Sequence, residues 1–312
     1  MKADKTRATL RYVILSLLTA LLATPLIAAV YVAVMPVEEI YAFPAKILPT
    51  RVRWSNFGDA IQRLPFMRFM FNSLVVSVSA VIGAVLTSAM AGYAFARLDW
   101  KCKPGYIALL MVSLVIPAQI LLIPQFLLFS SLGWVNSYKP LIVPAWLGGG
   151  AFNVFLFWQF FRTISRDFDD AAKLDGASHW TILTRIMIPM AKPATATVAL
   201  LSFVYYWQDF QKALIYLSDF RTYTVAVGLR MYQATGGGWI NLVIASSLIA
   251  LLPVLIVFLF MQRAIGPCAQ KVASESRDPL SPQSIQRQNS SEPPPPSAPT
   301  RQHKGLRTNR LQ

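Results

Sequence analysis

From Phe69 to Ala94 the chain reads FMFNSLVVSVSAVIGAVLTSAMAGYA, with no charged residue. Roughly 18–20 apolar residues suffice to cross a bilayer as an α-helix, and this stretch is longer than that. Its small residues fall in register. Ala80, Ala84, Ser88 and Gly92 recur every four positions, and Ser79, Gly83, Thr87 and Ala91 form a neighbouring ridge. Such ridges let another backbone approach closely, which drives helix association inside lipid. The segment predicts a membrane helix packed against others.

Five further blocks of the same character lie near 12–34, 105–130, 139–161, 194–216 and 240–262. The expected fold is an all-α polytopic membrane protein with about six transmembrane helices. Pro117, Pro124 and Pro144 predict kinks in the third and fourth spans. The composition agrees: 55% of residues are hydrophobic and 14% charged, against about a quarter charged in soluble chains. A secreted disulfide scaffold, a disordered protein and a cytosolic enzyme are thereby excluded. Cys102 and Cys268 stand far apart, which supports neither a disulfide framework nor a zinc site.

The formal charge of +15 reads as membrane topology rather than nucleic-acid binding. Lys2, Lys5, Arg7 and Arg11 precede the first span, Arg97, Lys101 and Lys103 follow the second, and Arg162, Arg166, Lys173, Arg185 and Lys192 follow the fourth. The positive-inside rule puts these segments, and both termini, in the cytoplasm. The expected organisation is a basic leader at 1–11, a six-span domain at 12–266 with a cytoplasmic loop at about 163–192, and a disordered tail at 267–312 rich in Pro, Ser and Arg. The first block is longer than the 7–15 apolar residues of a cleaved signal peptide, so it is expected to stay as a span.

No Gly-x-x-x-x-Gly-Lys-Ser/Thr loop occurs, and His179 and His303 have no companions at metal-ligand spacing. No catalytic residue, metal site or cofactor is expected on this chain. Ionisable residues within the spans are scarce, Asp209 and Lys212 being the main cases. That weighs against a self-sufficient secondary carrier, which uses such groups as relays or ion ligands, although a carrier or channel acting without an ATPase stays as the alternative.

The informative loop runs Asp169-Asp170-Ala171-Ala172-Lys173-Leu174-Asp175-Gly176-Ala177-Ser178 and on to Ile186-Met187-Ile188-Pro189. It predicts two short helices split at Gly176, a residue free to take the positive φ of a helix end. Asp167, Asp169 and Asp170 sit where the first helix dipole favours negative charge, Ser178 can cap the second, and Pro189 disturbs its end. A helical hairpin displayed to the cytoplasm suggests docking; a connector resting on the membrane surface is the plainer reading.

This segment resembles the EAA loop of bacterial ABC-importer permeases, whose pattern is Glu-Ala-Ala, three residues, Gly, nine residues, then Ile-x-Leu-Pro. Asp170, Ala171, Ala172, Gly176, Ile186, Ile188 and Pro189 take its positions, with Asp for Glu and Ile188 for Leu. The likeness points to the carbohydrate-uptake branch that includes the maltose permease G subunit. Asn72-Ser73-Leu74, Pro117, Pro124, Gly133, Asn136, Asp175 to Ser178, and Trp207-Gln208-Asp209-Phe210 resemble that branch, up to about Arg263. The tail beyond it is unlike the family's usual end, as a private extension or a frame-shifted end would be.

The resemblance implies an inner-membrane permease subunit of an ATP-driven importer for a sugar or oligosaccharide, or else for glycerol phosphate or another polar solute. It implies a second related permease, an ATP-binding-cassette ATPase dimer that binds the ATP, and an extracytoplasmic solute-binding protein, all in a lipid bilayer and without nucleic acid. The loop residues just named would contact the ATPase. Tyr205, Tyr206, Trp207, Gln208 and Asp209 combine aromatic faces with hydrogen-bond groups and are candidates for the solute pathway, although Trp and Tyr also gather at membrane interfaces.

Overall fold

The computed structural model describes residues 2–43, 50–234 and 239–275. The described residues form helices and no strand. Four helices are long and apolar enough to cross a membrane: Thr9–Val34, Phe66–Arg97, Lys139–Thr163 and Ile240–Ala264. Two bent pairs occupy the other expected positions. Lys103–Val115 meets Ala118–Ser131 at 97°, and His179–Met190 meets Lys192–Trp207 at 82°.

The prolines act more selectively than their number suggests. The third span breaks sharply at Pro117, which leaves the preceding Ile116 extended at ψ 119°. Pro124 produces no kink. It is the third residue of the helix Leu122–Ser131, where a backbone N–H would have no intrahelical partner. In the fourth span the helix containing Pro144 ends at Trp146. The chain then passes through Gly149 and Gly150, at φ +66° and +88°, before Ala151–Thr163. The expected fifth span at 194–216 is also divided. Its helix ends at Trp207 and a short helix restarts over Gln211–Tyr216, with Asp209 Oδ1 accepting from the Lys212 backbone N–H at 3.1 Å. A carboxylate capping a free helix N–H explains why the break falls there.

The second span is the hub, and both of its small-residue ridges are used. Ala80, Ala84, Ser88 and Gly92 are all buried. A Cβ on Gly92 would stand 2.6 Å from Phe157 Cβ, and one on Gly149 would stand 2.5 Å from the Ala84 carbonyl. On the adjacent ridge Gly83 lies under the Trp146 ring, Trp146 Nε1 donates to Ser79 O at 3.1 Å, and Thr87 Oγ1 reaches Ala145 O at 3.1 Å. The fourth span thus lies close along the second because no side chain intervenes. The first helix, by contrast, is mostly exposed over its described side chains and is buried at its end, Ala33 and Val34.

The two ends of the bundle are tied differently. At the end holding Phe66, Asn56 Nδ2 donates to Ala33 O and Met35 O at 2.8 and 3.1 Å. Asn72 Nδ2 donates to Arg221 O and Tyr223 O, both at 2.9 Å, and Ser73 Oγ accepts from Val225 N at 2.7 Å. Asn136, at φ +59°, donates its N–H to Tyr216 O at 2.7 Å and accepts from Ser218 N and Asp219 N. At the opposite end, beside Arg97, the chain forms a helical hairpin. The last helix spans Ile240–Glu275. The rest of the expected tail, 276–312, lies outside the described residues.

Candidate functional site

The hairpin forms as its residue types require. Its first helix spans Asp167–Leu174 and ends in a left-handed turn at Gly176, φ +78°. There Gly176 N donates to Lys173 O at 3.0 Å and Ala177 N to Ala172 O at 2.9 Å. These two crossed bonds satisfy carbonyls that a helix end would leave open, and the positive φ makes glycine the favoured residue. Ser178 caps the second helix, accepting from Thr181 N at 3.3 Å. Over Ile182–Met187 that helix widens into a π-turn, followed by Ile188–Met190. Pro189 accounts for it: the ring brings no N–H and would collide with the carbonyl four residues back, which a wider turn avoids.

The structure separates the hairpin residues into two faces. Asp170, Ala171, Gly176 and Pro189 are exposed, while Ala172 is buried and Ile186 and Ile188 are half-buried. Ala172 packs in this chain's own core with Phe157, Phe161, Ile182 and Met187, and Ile186 and Ile188 pack against that cluster. What limits the size of residue 172 is thus the neighbouring helix of the same chain. Three large apolar side chains on the outer face carry no motif signal. Phe168 and Trp180 are about half or more exposed, and Leu174 is 90% exposed. His179, next to Trp180, contacts the second span, its Nδ1 lying 3.1 Å from the Tyr93 hydroxyl.

A charge pair joins the hairpin to the second span. Arg97 Nε lies 2.8 Å from Asp169 Oδ2, with the two side chains only 6% and 5% exposed. Arg97 Nη2 also donates to the Ile164 carbonyl at 2.7 Å. By local pattern Arg97 reads as a topology residue and Asp169 as a complement to the helix dipole. Nothing in their local pattern couples two residues so far apart along the chain. The outer acid, Asp170, meets Lys173 at 3.6 Å on the surface, a pair of little energetic consequence. In the loop after the second span Lys103 donates to Asp99 at 3.0 Å, and that hydrogen bond holds the Asp99 carboxyl below its usual range.

Among the cavities that the candidate solute residues border, two carry most of their polar groups. One of about 720 Å³ is walled by the third, fourth and fifth spans, including Asn153, Ser202, Tyr205, Tyr206 and Lys212. A second of about 370 Å³ carries Tyr205, Gln208, Asp209 and Lys212. Tyr205 and Tyr206 stand edge to face, 5.2 Å apart, and Asn153 Nδ2 donates to Ser202 Oγ at 3.0 Å. Lys212 Nζ donates to the Tyr205 hydroxyl at 3.0 Å and lies 3.8 Å from Asp209 Oδ2. Trp207 lies apart from the two tyrosines and lines another cavity, of about 320 Å³, with Gln208. It is buried against Phe203 at 5.5 Å, and its Nε1 donates to Ala250 O at 3.1 Å, so it packs the fifth helix on the sixth. Helical periodicity is the reason: consecutive residues point about 100° apart, so Tyr205, Tyr206 and Trp207 cannot share one wall.

Residues 83–269 match the family described as binding-protein-dependent transport system inner membrane component. The chain is 28% identical over 254 residues to the sn-glycerol-3-phosphate transport system permease protein UgpE of Escherichia coli O1:K1 / APEC, covering 78% of this chain and 89% of that protein. It is 28% identical over 218 residues to the melibiose/raffinose/stachyose import permease protein MelC of Bacillus subtilis (strain 168), covering 70% and 79%. Among solved structures, a chain of a bacterial ABC transporter involved in the import of the acidic polysaccharide alginate superposes with a TM-score of 0.70 at 21% identity. That match covers 84% of this chain and 98% of the other. A chain of the alginate transporter in complex with an alginate pentasaccharide-bound periplasmic protein superposes at 0.58, with 17% identity. These two likenesses concern the fold.

Proposed function

The chain belongs to the binding-protein-dependent transport system inner membrane component family, and from that membership we propose that it imports a sugar or oligosaccharide by moving with a partner ATPase. It is a non-catalytic permease subunit of an ABC importer, ATP hydrolysis being the work of a separate subunit. The observation that carries the coupling role is the outer face of the hairpin. Phe168, Leu174 and Trp180 are exposed beside Asp170, Ala171 and Gly176, at the end of the bundle that the positive-inside rule makes cytoplasmic. Apolar side chains outside the lipid-facing spans call for a protein partner. An ATPase that closes on ATP pushes this face, and a second permease offers the matching hairpin on the other half of the assembly.

Solute passes from the extracytoplasmic binding protein to the cavity bordered by Tyr205 and Tyr206. Aromatic faces suit the C–H faces of a sugar ring, and Asn153, Ser202, Gln208 and Asp209 suit its hydroxyls. The cation on this wall, Lys212, is already matched by Asp209, which favours an uncharged sugar over a phosphorylated solute. Both termini lie in the cytoplasm, with the chain in the inner membrane.

Purification of the tagged chain from its native membrane in mild detergent tests the assembly. A co-purifying ATPase with a phosphate loop and a second permease are expected; recovery of the chain alone counts for a self-sufficient carrier. Gly176→Asp should abolish uptake, because the φ of +78° strains any residue with a Cβ and disturbs the hairpin tip; membrane insertion should stay intact, the position lying outside the spans. Uptake of labelled di- and trisaccharides against glycerol phosphate then tests the solute class, and preference for the phosphate would overturn the sugar assignment.

A further inference from the structure

We infer that Arg97 and Asp169 are positioning residues: together they pin the hairpin to the inner end of the second span, so that a push on the hairpin is delivered to the second and fourth spans as one body. The inference rests on the hairpin being the ATPase contact.

Two kinds of contact hold the hairpin to the bundle, and they resist displacement differently. The apolar kind sets Ala172, Ile182, Leu183 and Met187 against Ala89, Tyr93, Ala96, Phe157 and Phe161. Hydrophobic contact is non-directional, so a small slide along such a surface exposes little area and meets little resistance. The polar kind has one position. Arg97 reaches Asp169 Oδ2 at 2.8 Å with one nitrogen and the Ile164 carbonyl at 2.7 Å with another. Ile164 ends the fourth span and Asp169 lies in the first turn of the hairpin. A single planar guanidinium from the second span thus spans the joint Ile164–Asp169, the point where the hairpin would otherwise pivot. Separating a charge pair shielded from water is steeply unfavourable in every direction, because the lost attraction is not replaced by hydration.

Stability alone is a poor reason for this arrangement. Apolar side chains of similar volume commonly hold such a site as well as a buried ion pair does, or better, and this pair is not well satisfied. No aligned hydrogen bond joins Arg97 Nε to Asp169, and Asp169 Oδ1 has no hydrogen-bond partner among the described residues. What Arg97 offers over an apolar contact is a fixed orientation, through its hydrogen bond to the Ile164 carbonyl, with the Asp169 charge held beside it. Tyr93, one turn earlier on the second span, adds a second directional contact through His179.

The test separates position from stability. Spin labels at Lys101→Cys and Asp175→Cys, both exposed, are placed in a Cys102→Ser/Cys268→Ser background. The inter-label distance is then measured by pulsed electron paramagnetic resonance. The full complex, purified with its partners, is examined nucleotide-free and after trapping with ATP and vanadate. The pinned hairpin should give one narrow distance, the same in both states. The apolar double variant Arg97→Met/Asp169→Leu should keep its melting temperature and its ATPase, yet give a distribution about twice as wide that shifts on trapping. Asp169→Asn, which keeps the shape and drops the charge, serves if the double variant fails to accumulate, and should broaden the distance likewise. An unchanged narrow distance in both variants overturns the pin. Failure of the wild-type chain to retain any ATPase is a different outcome: it refutes the coupling reading, while the nucleotide-free widths still decide whether the pair fixes the hairpin.

Discussion

The two ends of the bundle solve the same problem, holding loops to helix ends, with different chemistry. At the end bearing Phe66, neutral amides and a hydroxyl reach backbone groups: Asn56 to Ala33 and Met35, Asn72 to Arg221 and Tyr223, Ser73 to Val225, Asn136 to Tyr216, Ser218 and Asp219. Apart from the Asn136–Tyr216 bond, which is backbone to backbone, each fixes main chain to main chain through one short side chain. At the other end an apolar cluster and the Arg97–Asp169 pair hold a pre-formed hairpin that carries its own caps. The first arrangement freezes a set of loops in place. The second keeps a small unit ordered within itself and attached at a few points.

The largest effect should come from a change that serves both ends. Gly92→Leu forces a side chain into the space of Phe157 and the Trp158 backbone, 2.6 and 2.9 Å from the new Cβ. Overpacking costs about 1–3 kcal/mol or more, and the fault lies in the contact between the second and fourth spans on which both ends depend. Both ends should become protease-sensitive together in membrane vesicles; loss at one end alone would mean that they fold independently.

Asn72→Ala tests the end bearing Phe66 by itself. It removes two hydrogen bonds to backbone carbonyls and should cost about 1–2 kcal/mol. The melting temperature should drop while recovery of the ATPase stays at the wild-type level. Ser178→Ala tests the hairpin's internal order. Loss of its cap should cost about 1 kcal/mol, visible as faster amide exchange over residues 179–187 and unchanged exchange around Asn136. Asp170→Asn should have the smallest effect on stability, since the exposed pair with Lys173 contributes about 0–1 kcal/mol. If Asp170 faces the ATPase, recovery of that subunit should nevertheless fall by about tenfold, the equivalent of roughly 1.4 kcal/mol of contact. Unchanged recovery would remove Asp170 from the interface.

Much of this was legible in the chain itself. Uninterrupted apolar blocks place the spans because lipid demands that every backbone polar group be satisfied within a helix. Spacing alone marked the ridges at Ala80–Gly92 and Ser79–Ala91, since the helical repeat maps sequence directly onto a face. Gly176 and Ser178 were readable for a similar reason, helix ends being local events. Pro124 and Pro144 show the limit. A proline's consequence depends on whether it falls in a first turn or an interior, and element boundaries are a tertiary outcome as well as a local one.

What the sequence determined by itself is therefore the set of features that depend on neighbours within a few residues: the spans, the ridges, the two halves of the hairpin and the residue types at its tip. The tertiary structure decided which side chains face one another. It turned Ala172 inward and Leu174 outward, set Trp207 against Ala250 rather than beside Tyr205 and Tyr206, and brought Arg97 to Asp169 and Tyr93 to His179. Those meetings join residues remote along the chain, and their partners are selected by the close approach of whole helices, which no local pattern encodes.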